Sequence, residues 1–367
     1  MYMTFVQATT GSGGWPMSVW LTPDLEPFYG GTYFPPQSQW GRPGFRDVLL
    51  EIARAWRDER PQLMASAKQI TDRLTDIATG GEAGEGVVRS SPGDKALAAT
   101  LGQFTSTFDA RRGGFGDAPK FPRPSELFFL LREHARTGDL AARDMVLVTL
   151  RAMALGGMRD HIGGGFHRYA VDGNWRVPHF EKMLYDQAQL VLAYLEAAQA
   201  ANGPAVSDTR RGESNGSFYA QIAEDTLHYV HREMTDPAVG FYSAEDADSV
   251  PPDKAGEPYP RKMEGAFYVW ALREVRELLG DDSAAFERRY GLLPDGNAPF
   301  DPQHEFTGKN LLYTAQGIAE VAEGLGREPE AVAQSLTRAR VALFDARAKR
   351  PRPHRDDKIL TGWNGLM

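Results

Sequence analysis

The sequence predicts a mainly α protein: a small α/β piece over residues 1–79, then an array of helical hairpins over 95–367. Three observations carry this. The first 46 residues are crowded with glycine, proline and aromatics and hold two short strand-like runs. From residue 95 onward, apolar residues recur at three- and four-residue steps in one segment after another. A glycine-aromatic loop returns between those segments, at Gly113-Gly-Phe115, Gly164-Gly-Phe166 and Gly240-Phe-Tyr242.

Taken in order, Met17–Leu21 reads as a short apolar strand, Pro23-Asp24 as a turn, and Pro27–Phe34 as the returning strand with a bend at Gly30-Gly31. Pro35-Pro36 ends it. A helix starts at Asp47, with Val48, Leu49, Ile52, Ala53 and Trp56 on one face. Pro61 interrupts it, and Leu63, Ala67, Ile70, Leu74 and Ile77 continue the pattern to about Ala78. Gly80–Asp94 is polar and glycine-rich, a linker between two domains. Helices are then expected near 94–108, 125–136, 140–157, 180–201, 217–234, 271–279, 283–290, 315–325 and 328–347. Gly114 and Gly165 are 51 residues apart and Gly165 and Gly240 are 75 apart, with the polar insert 202–216 filling part of the excess. That spacing fits a repeated hairpin with its glycine-aromatic loops at one end, converging on one mouth.

Composition narrows the function. The chain has 367 residues, 42% hydrophobic and 25% charged, as in an ordinary water-soluble protein with room for more than one domain. A net charge of −8, from 41 basic and 49 acidic residues, argues against nucleic acid as a partner. There is no run of eighteen apolar residues and no basic-then-apolar leader, so neither a membrane span nor a secretory signal is expected. Cysteine is absent, which excludes disulfides, thiolate metal sites and thiol nucleophiles in this chain. A reducing, cytoplasmic setting is the expectation. No cofactor or metal is expected, and the sequence says nothing of oligomeric state. No Gly-x-x-x-x-Gly-Lys-Ser/Thr loop occurs, which disfavours nucleotide hydrolysis.

The densest chemistry lies between Arg159 and Leu195. Phe180, Met183, Leu184, Gln187, Val191, Tyr194 and Leu195 form one apolar stripe of a helix. Before it, Gly163-Gly-Gly165 shapes a loop and Asp172-Gly173 a hairpin-like turn. The loop and the first helical turn gather His161, His167, Arg168, Tyr169, Trp175, Arg176, His179, Glu181, Lys182, Tyr185 and Asp186. A glycine-shaped loop feeding a helix can present such groups to a pocket, while capping and packing around a helix start would use the same residues.

Several segments together resemble one family: Tyr2-Met-Thr-Phe-Val-Gln-Ala8, Gly14-Trp-Pro-Met-Ser-Val-Trp-Leu-Thr-Pro23, Gly30-Gly-Thr-Tyr-Phe-Pro-Pro36, Ala118-Pro-Lys-Phe-Pro122, Gly165-Phe-His-Arg-Tyr169, Val177-Pro-His-Phe-Glu-Lys-Met-Leu-Tyr-Asp-Gln187, Gly240-Phe-Tyr-Ser-Ala-Glu-Asp-Ala-Asp-Ser249 and Trp363-Asn-Gly-Leu-Met367. The chain resembles the thioredoxin-domain-containing family that includes spermatogenesis-associated protein 20. The resemblance implies a thioredoxin-like domain followed by an (α/α)6 toroid similar to those of N-acylglucosamine 2-epimerases and six-hairpin glycosidases. It further implies that the chain is an internal fragment, lacking a Cys-x-x-Cys segment upstream of Tyr2 and the rest of the toroid beyond Met367. Pro16 takes the place of the thioredoxin cis-proline. An unclosed ring is expected to leave apolar helix faces wet.

Two sugar chemistries fit these residues. An epimerase or isomerase needs an acid/base pair beside C2, for which His167 and His179 are the candidates. A glycosidase needs two carboxylates flanking the scissile bond, with Glu181 and Asp246 or Asp248 as candidates. Arg168, Tyr169, Trp175, Lys182, Tyr185, Asp186, Glu245, Tyr268 and Trp270 are expected to bind the substrate, a small-molecule carbohydrate. Lys120, like Lys182, could pair carboxylates or phosphates. The run Glu245–Ser249 also fits a solvated helix start or, weakly, a calcium loop. Thiol-disulfide exchange, the redox alternative, is closed to a chain without cysteine. A sugar-binding protein without turnover is the remaining alternative.

Overall fold

The computed structural model describes all residues except 12, 40, 80–92, 202–215, 300 and 302–304, and the side chains of 77–79. The expected linker at 80–94 and the polar insert at 202–216 lie almost wholly outside the described residues. The chain divides into two compact units, Met1–Ser91 and Pro92–Met367. Its fold class is mainly α, as the periodicity predicts.

The first unit runs α1 (Tyr2–Thr10), β1 (Ser18–Leu21), β2 (Pro27–Gly31), α2 (Phe45–Asp58) and α3 (Arg60–Thr79). The two strands pair antiparallel, Ser18 opposite Gly31. Phe5 and Val6 of α1 are buried with Leu74 of α3, with Met17, Val19 and Ile70 packed against them. The sequence pattern predicts no helix at α1, which is only nine residues long and has no capping side chain. The peptide Trp15–Pro16 is cis.

The second unit begins with α4 (Asp94–Thr107), α5 (Pro124–Thr137) and α6 (Leu140–Leu155). Gly138 ends α5 in the left-handed region, and Asp139 caps α6 by accepting from the Ala141 and Ala142 N–H groups. The short pair β3 (Tyr169–Ala170) and β4 (Pro178–His179) follows, then β5 (Lys182–Met183), α7 (Leu184–Ala201) and α8 (Gly216–Tyr229), which ends in a π-turn over Val230–Met234. Helices α5 to α8 close one core around Leu127, Leu130, Val146, Leu150, Leu190, Tyr194, Tyr219 and Ile222. After β6 (Ala244–Glu245), β7 (Asp248–Ser249) and β8 (Met263–Glu264) come α9 (Leu272–Leu279), α10 (Ser283–Tyr290), α11 (Ile318–Leu325) and α12 (Pro329–Arg347). Val275, Phe286, Ala339 and Leu343 form the buried core of α9, α10 and α12. The described chain ends with β9 (Arg355–Asp356) and α13 (Thr361–Asn364).

One expectation about α7 is corrected. The apolar stripe predicts helix from Phe180, but α7 starts at Leu184. Lys182 and Met183 are drawn instead into pairing with Glu245 and Ala244, and the Glu181 carbonyl accepts from the Arg168 N–H. Glu181 and Tyr185 therefore do not share one helical face.

The glycine-aromatic loops are one device used three times. In each, an aspartate four residues before a glycine folds the turn with its own carboxylate. Asp109 Oδ1 accepts from the N–H groups of residues 111 and 112, Asp160 Oδ1 from 162 and 163, and Asp236 Oδ1 from 238 and 239. The other carboxylate oxygen accepts from a side chain that lies beyond the turn. Lys120 Nζ reaches Asp109 at 2.9 Å and the Gly113 carbonyl at 2.8 Å. Lys182 Nζ reaches Asp160 at 3.0 Å and the Gly164 carbonyl at 2.9 Å. In the third loop, one residue shorter, the Tyr242 hydroxyl donates to Asp236 at 2.8 Å.

Each loop follows an even-numbered helix and docks on a later helix. The Gly114 N–H donates to Thr149 of α6, Gly164 and Gly165 lie against Asp225 and Tyr229 of the α8 segment, and Phe241 exchanges hydrogen bonds with Asn364 of α13. Close approach explains the glycines. At Gly165 φ is +75° and an added Cβ would come 2.5 Å from the Tyr229 ring. At Gly114 φ is +84° and the same atom would come 2.6 Å from the Trp175 indole.

Candidate functional site

The short strand pairs set the site. The β3–β4 register puts Tyr169 opposite His179, and the β7–β8 register puts Asp248 opposite Glu264. A hydrogen bond of 2.7 Å between His179 Nδ1 and Glu264 Oε1 ties the two pairs together, and the same oxygen accepts from the Phe180 N–H. His179 Nε2 stands 3.8 Å from Glu181 Oε2, whose other neighbour is the Arg168 guanidinium at 2.7 Å. Rings continue the arrangement: Phe121 stacks on Tyr169 at 4.6 Å and Tyr169 on His179 at 4.9 Å. Arg168 also stands near Tyr185, whose ring meets Trp363 edge-on at 4.8 Å.

The electrostatics separate these groups. Burial alone would lower the His179 pKa, but the hydrogen bond and charge of Glu264 outweigh it and raise it above the ordinary histidine value. Asp186 is raised to about 7, by burial first and with Glu181 pushing the same way against Arg168. Its Oδ2 is buried with no partner. Burial and the nearby Asp246 and Glu264 raise Asp248. Glu305 is raised by burial, Glu264 and Asp248. Asp246 lies 3.8 Å from Lys262. Among the described residues, no group of three or more His, Asp or Glu is arranged to hold a metal ion. Nor is any helix there long and apolar enough to cross a membrane.

The residues expected from sequence divide into two sets. His179, Glu181, Arg168, Tyr169, Tyr185, Asp186, Asp246 and Asp248 lie in or beside the cluster just described. His167, Trp175, Lys182, Glu245, Tyr268 and Trp270 lie in the interior. His167 is 2% exposed, its Nδ1 bonds to the Phe180 carbonyl, and its ring sits edge-on between Phe180 and Tyr268. Burial, with the charge of Lys182, lowers its pKa to about 3, so it stays neutral in the physiological range. Trp175, at φ 59°, donates from Nε1 to the Gly113 carbonyl beneath the first loop. Glu245 accepts from the Tyr229 hydroxyl at 2.6 Å, and Arg350 covers Trp270 at 3.8 Å.

Lys182 belongs to a buried charge network. Asp160 receives Lys182 and both terminal nitrogens of Arg347, the latter at 2.8 Å each. Cavities bordering this network have a free volume of about 20 Å³, room for a water but not for a sugar. The Lys120–Asp109 pair repeats the same contact in the first loop, which marks both lysines as pins of their turns.

Phe121, Glu264 and Glu305 join the cluster without having been singled out from sequence. Phe121 stands in the Ala118–Pro122 motif, so its signal was present. Glu264 follows an unpatterned polar stretch and reaches His179 only through the β7–β8 pairing.

Residues 1–75 match the family model described as Thioredox_DsbH, a protein of unknown function (DUF255). All of this chain aligns with human spermatogenesis-associated protein 20 at 43% identity, covering 46% of that protein. It likewise aligns with an uncharacterized protein of Caenorhabditis elegans at 38% identity, covering 49% of it. Among solved structures, a cellobiose 2-epimerase from Bacillus thermoamylovorans is similar at 11% identity and a TM-score of 0.33, over 72% of this chain and 76% of that one. A sugar epimerase from a ruminal bacterium is similar at 14% identity and a TM-score of 0.33, over 40% of this chain and 37% of that one. The chain spans about half the length of the curated relatives it matches. End to end, the chain is similar to spermatogenesis-associated protein 20, and over residues 1–75 it matches the Thioredox_DsbH model.

Proposed function

We propose that the cluster around His179 and Glu264 is a carbohydrate site of the sugar epimerase or isomerase class. One observation carries this: His179, held through Nδ1 by Glu264, stands at the end of the Phe121–Tyr169 ring stack with Nε2 toward Glu181. Ring faces suit the C–H surface of a sugar, while Arg168, Glu181 and Asp248 suit its hydroxyls. An imidazole fixed by a carboxylate at one nitrogen is left with the other to exchange a proton. In this reading His179 Nε2 removes the proton beside an open-chain sugar carbonyl, and a second group returns one, to the other face of the same carbon in epimerisation or to the adjacent carbon in isomerisation. Asp186, with a pKa of about 7, titrates where such a partner must.

The same carboxyl supports a second reading, glycoside hydrolysis, in which Asp186 is the proton donor and Glu181, paired with Arg168, the second acidic residue. The test is thermal stabilisation of the chain by a panel of mono- and disaccharides, followed by product analysis of any sugar that binds. An interconverted monosaccharide supports the first reading and a cleaved disaccharide the second. Binding without conversion makes the site a sugar receptor. If no sugar shifts the melting temperature, or if His179→Ala and Glu181→Gln leave binding and turnover unchanged, the site assignment fails.

A further inference from the structure

A cleft lies in the second unit, lined by residues that the His179 cluster does not use. Its free volume is about 480 Å³, within the range of small-molecule sites. Arg111 of the first glycine-aromatic loop, Arg151 near the end of α6 and Arg176 of the β3–β4 turn line it, together with Asn174, Tyr313 and Thr314. No carboxylate is among its described lining residues.

Two partly buried guanidinium groups and one exposed one share this cleft with no carboxylate on its wall, an arrangement that an anion would complete. No ion pair within 4.0 Å involves Arg111, Arg151 or Arg176 among the described residues. The Nε atoms of Arg151 and Arg176 are both buried and have no acceptor. The guanidinium of Arg176 lies 3.3 Å over the Tyr313 ring and gives one bond to the Asn297 carbonyl. Burial lowers its pKa, against Tyr313 and Asp172. Asp172 is the acidic influence on it; Asp172 Oδ1 accepts from the N–H groups of Arg176 and Val177, and its Oδ2 is buried without a hydrogen bond and makes no ion pair with Arg176. Gly156 forms part of the wall, where a Cβ would strike the Trp175 carbonyl.

We propose that this cleft binds the phosphoryl group of a small phosphorylated metabolite. A dianion of that size uses more than one cation, and planar guanidinium forks match its oxygens in pairs. Asn174 and Thr314 add neutral donors for the rest of the ligand. The chain's net charge of −8 leaves this cleft as a local basic spot, unlike the extended basic surface of a nucleic-acid binder.

The test is calorimetric titration of the chain with glucose 6-phosphate and with inorganic phosphate, against glucose and sodium chloride at matched ionic strength. Both phosphates are expected to bind. The double variant Arg111→Gln/Arg151→Gln is expected to weaken them about tenfold with an unchanged circular dichroism spectrum. Arg111 is exposed, so Arg111→Gln alone, with a smaller loss of about threefold, serves if the double variant does not fold. His179→Ala is expected to leave phosphate binding unchanged, which separates this cleft from the His179 cluster. The proposal is overturned by any of three results: no binding of either phosphate at millimolar concentration, an equal response to chloride, or wild-type affinity in the Arg111→Gln variant.

Discussion

Replacing Asp160 by alanine tests the reading of the buried lysines as turn pins. Asp160 is 6% exposed and accepts five hydrogen bonds: from the N–H groups of Ile162 and Gly163, from Lys182 Nζ and from both terminal nitrogens of Arg347. Its removal leaves Lys182 and Arg347 charged in the interior, with side chains 1% and 5% exposed. Breaking a buried pair from one side costs about 3–5 kcal/mol. The two backbone donors add about 1–2 kcal/mol more. For a unit of this size, that total corresponds to a melting temperature lower by roughly 10–20 °C. The matched variant Asp109→Ala leaves only Lys120 unpaired, at a carboxylate 23% exposed, with the Gly113 carbonyl still bonded to it. Its cost is expected near 1–3 kcal/mol. Thermal unfolding followed by circular dichroism compares the two. The pin reading is refuted if Asp160→Ala lies within about 1 kcal/mol of the parent or costs no more than Asp109→Ala. The pH dependence has a definite sign. Burial alone would raise the Asp160 pKa, but Arg347 and Lys182 hold it well below the ordinary carboxylate value. Its contribution is therefore complete above about pH 4 and is lost as pH falls through the folded-state pKa.

Other expectations follow from single contacts. Asp186, raised to about 7, favours the folded state most below the ordinary aspartate pKa, and that favour is lost as pH rises through 7. Asp186→Asn should accordingly stabilise the protein at pH 8 by about 2–4 kcal/mol while impairing sugar conversion; an unchanged melting temperature there would count against a buried carboxylate. His161 and His167, both lowered to about 3 with burial as the leading cause, contribute stability that is full above about pH 6.5 and falls away in acid. NMR titration should find neither imidazole protonated at pH 5.5. Gly165→Ala, pressed against the Tyr229 ring, should cost more than the 1–2 kcal/mol or so of a left-handed alanine, while Gly116→Ala, with φ +71° and open space around it, should cost about that alone. Equal losses in chemical denaturation would show that the ring yields.

Much of the helical scaffold was legible because burial writes itself at three- and four-residue steps. The segments 94–107, 140–155, 283–290 and 329–347 fall close to where periodicity puts them. The two-residue strands were not legible, since partners distant in sequence define them: Met183 pairs with Ala244 and Ala244 with Asp356. That is also why the start of α7 was misread. For the site, composition could not distinguish His167 from His179. Each follows a turn and each neighbours aromatics, yet one is sealed by Phe180 and Tyr268 and the other, partly exposed, is held by Glu264. The aspartate four residues before each loop glycine was in plain view in the sequence. Its role emerges only when Oδ1 is seen to close the turn and Oδ2 to receive a side chain from beyond it.

The docking of each glycine-aromatic loop on a later helix makes the array directional. The first loop depends on α6, the second on α8, and the third on the four residues of α13. A hairpin is thus finished by what comes after it, and its turn stays unseated until that later helix is in place. On a ribosome, the 109–115 turn would lock only after Thr149 emerges, and the 236–242 turn would wait for Asn364, more than a hundred residues later. Any shortened version that stops before 361 would leave the Phe241 backbone without its partner, however complete α8 itself might be.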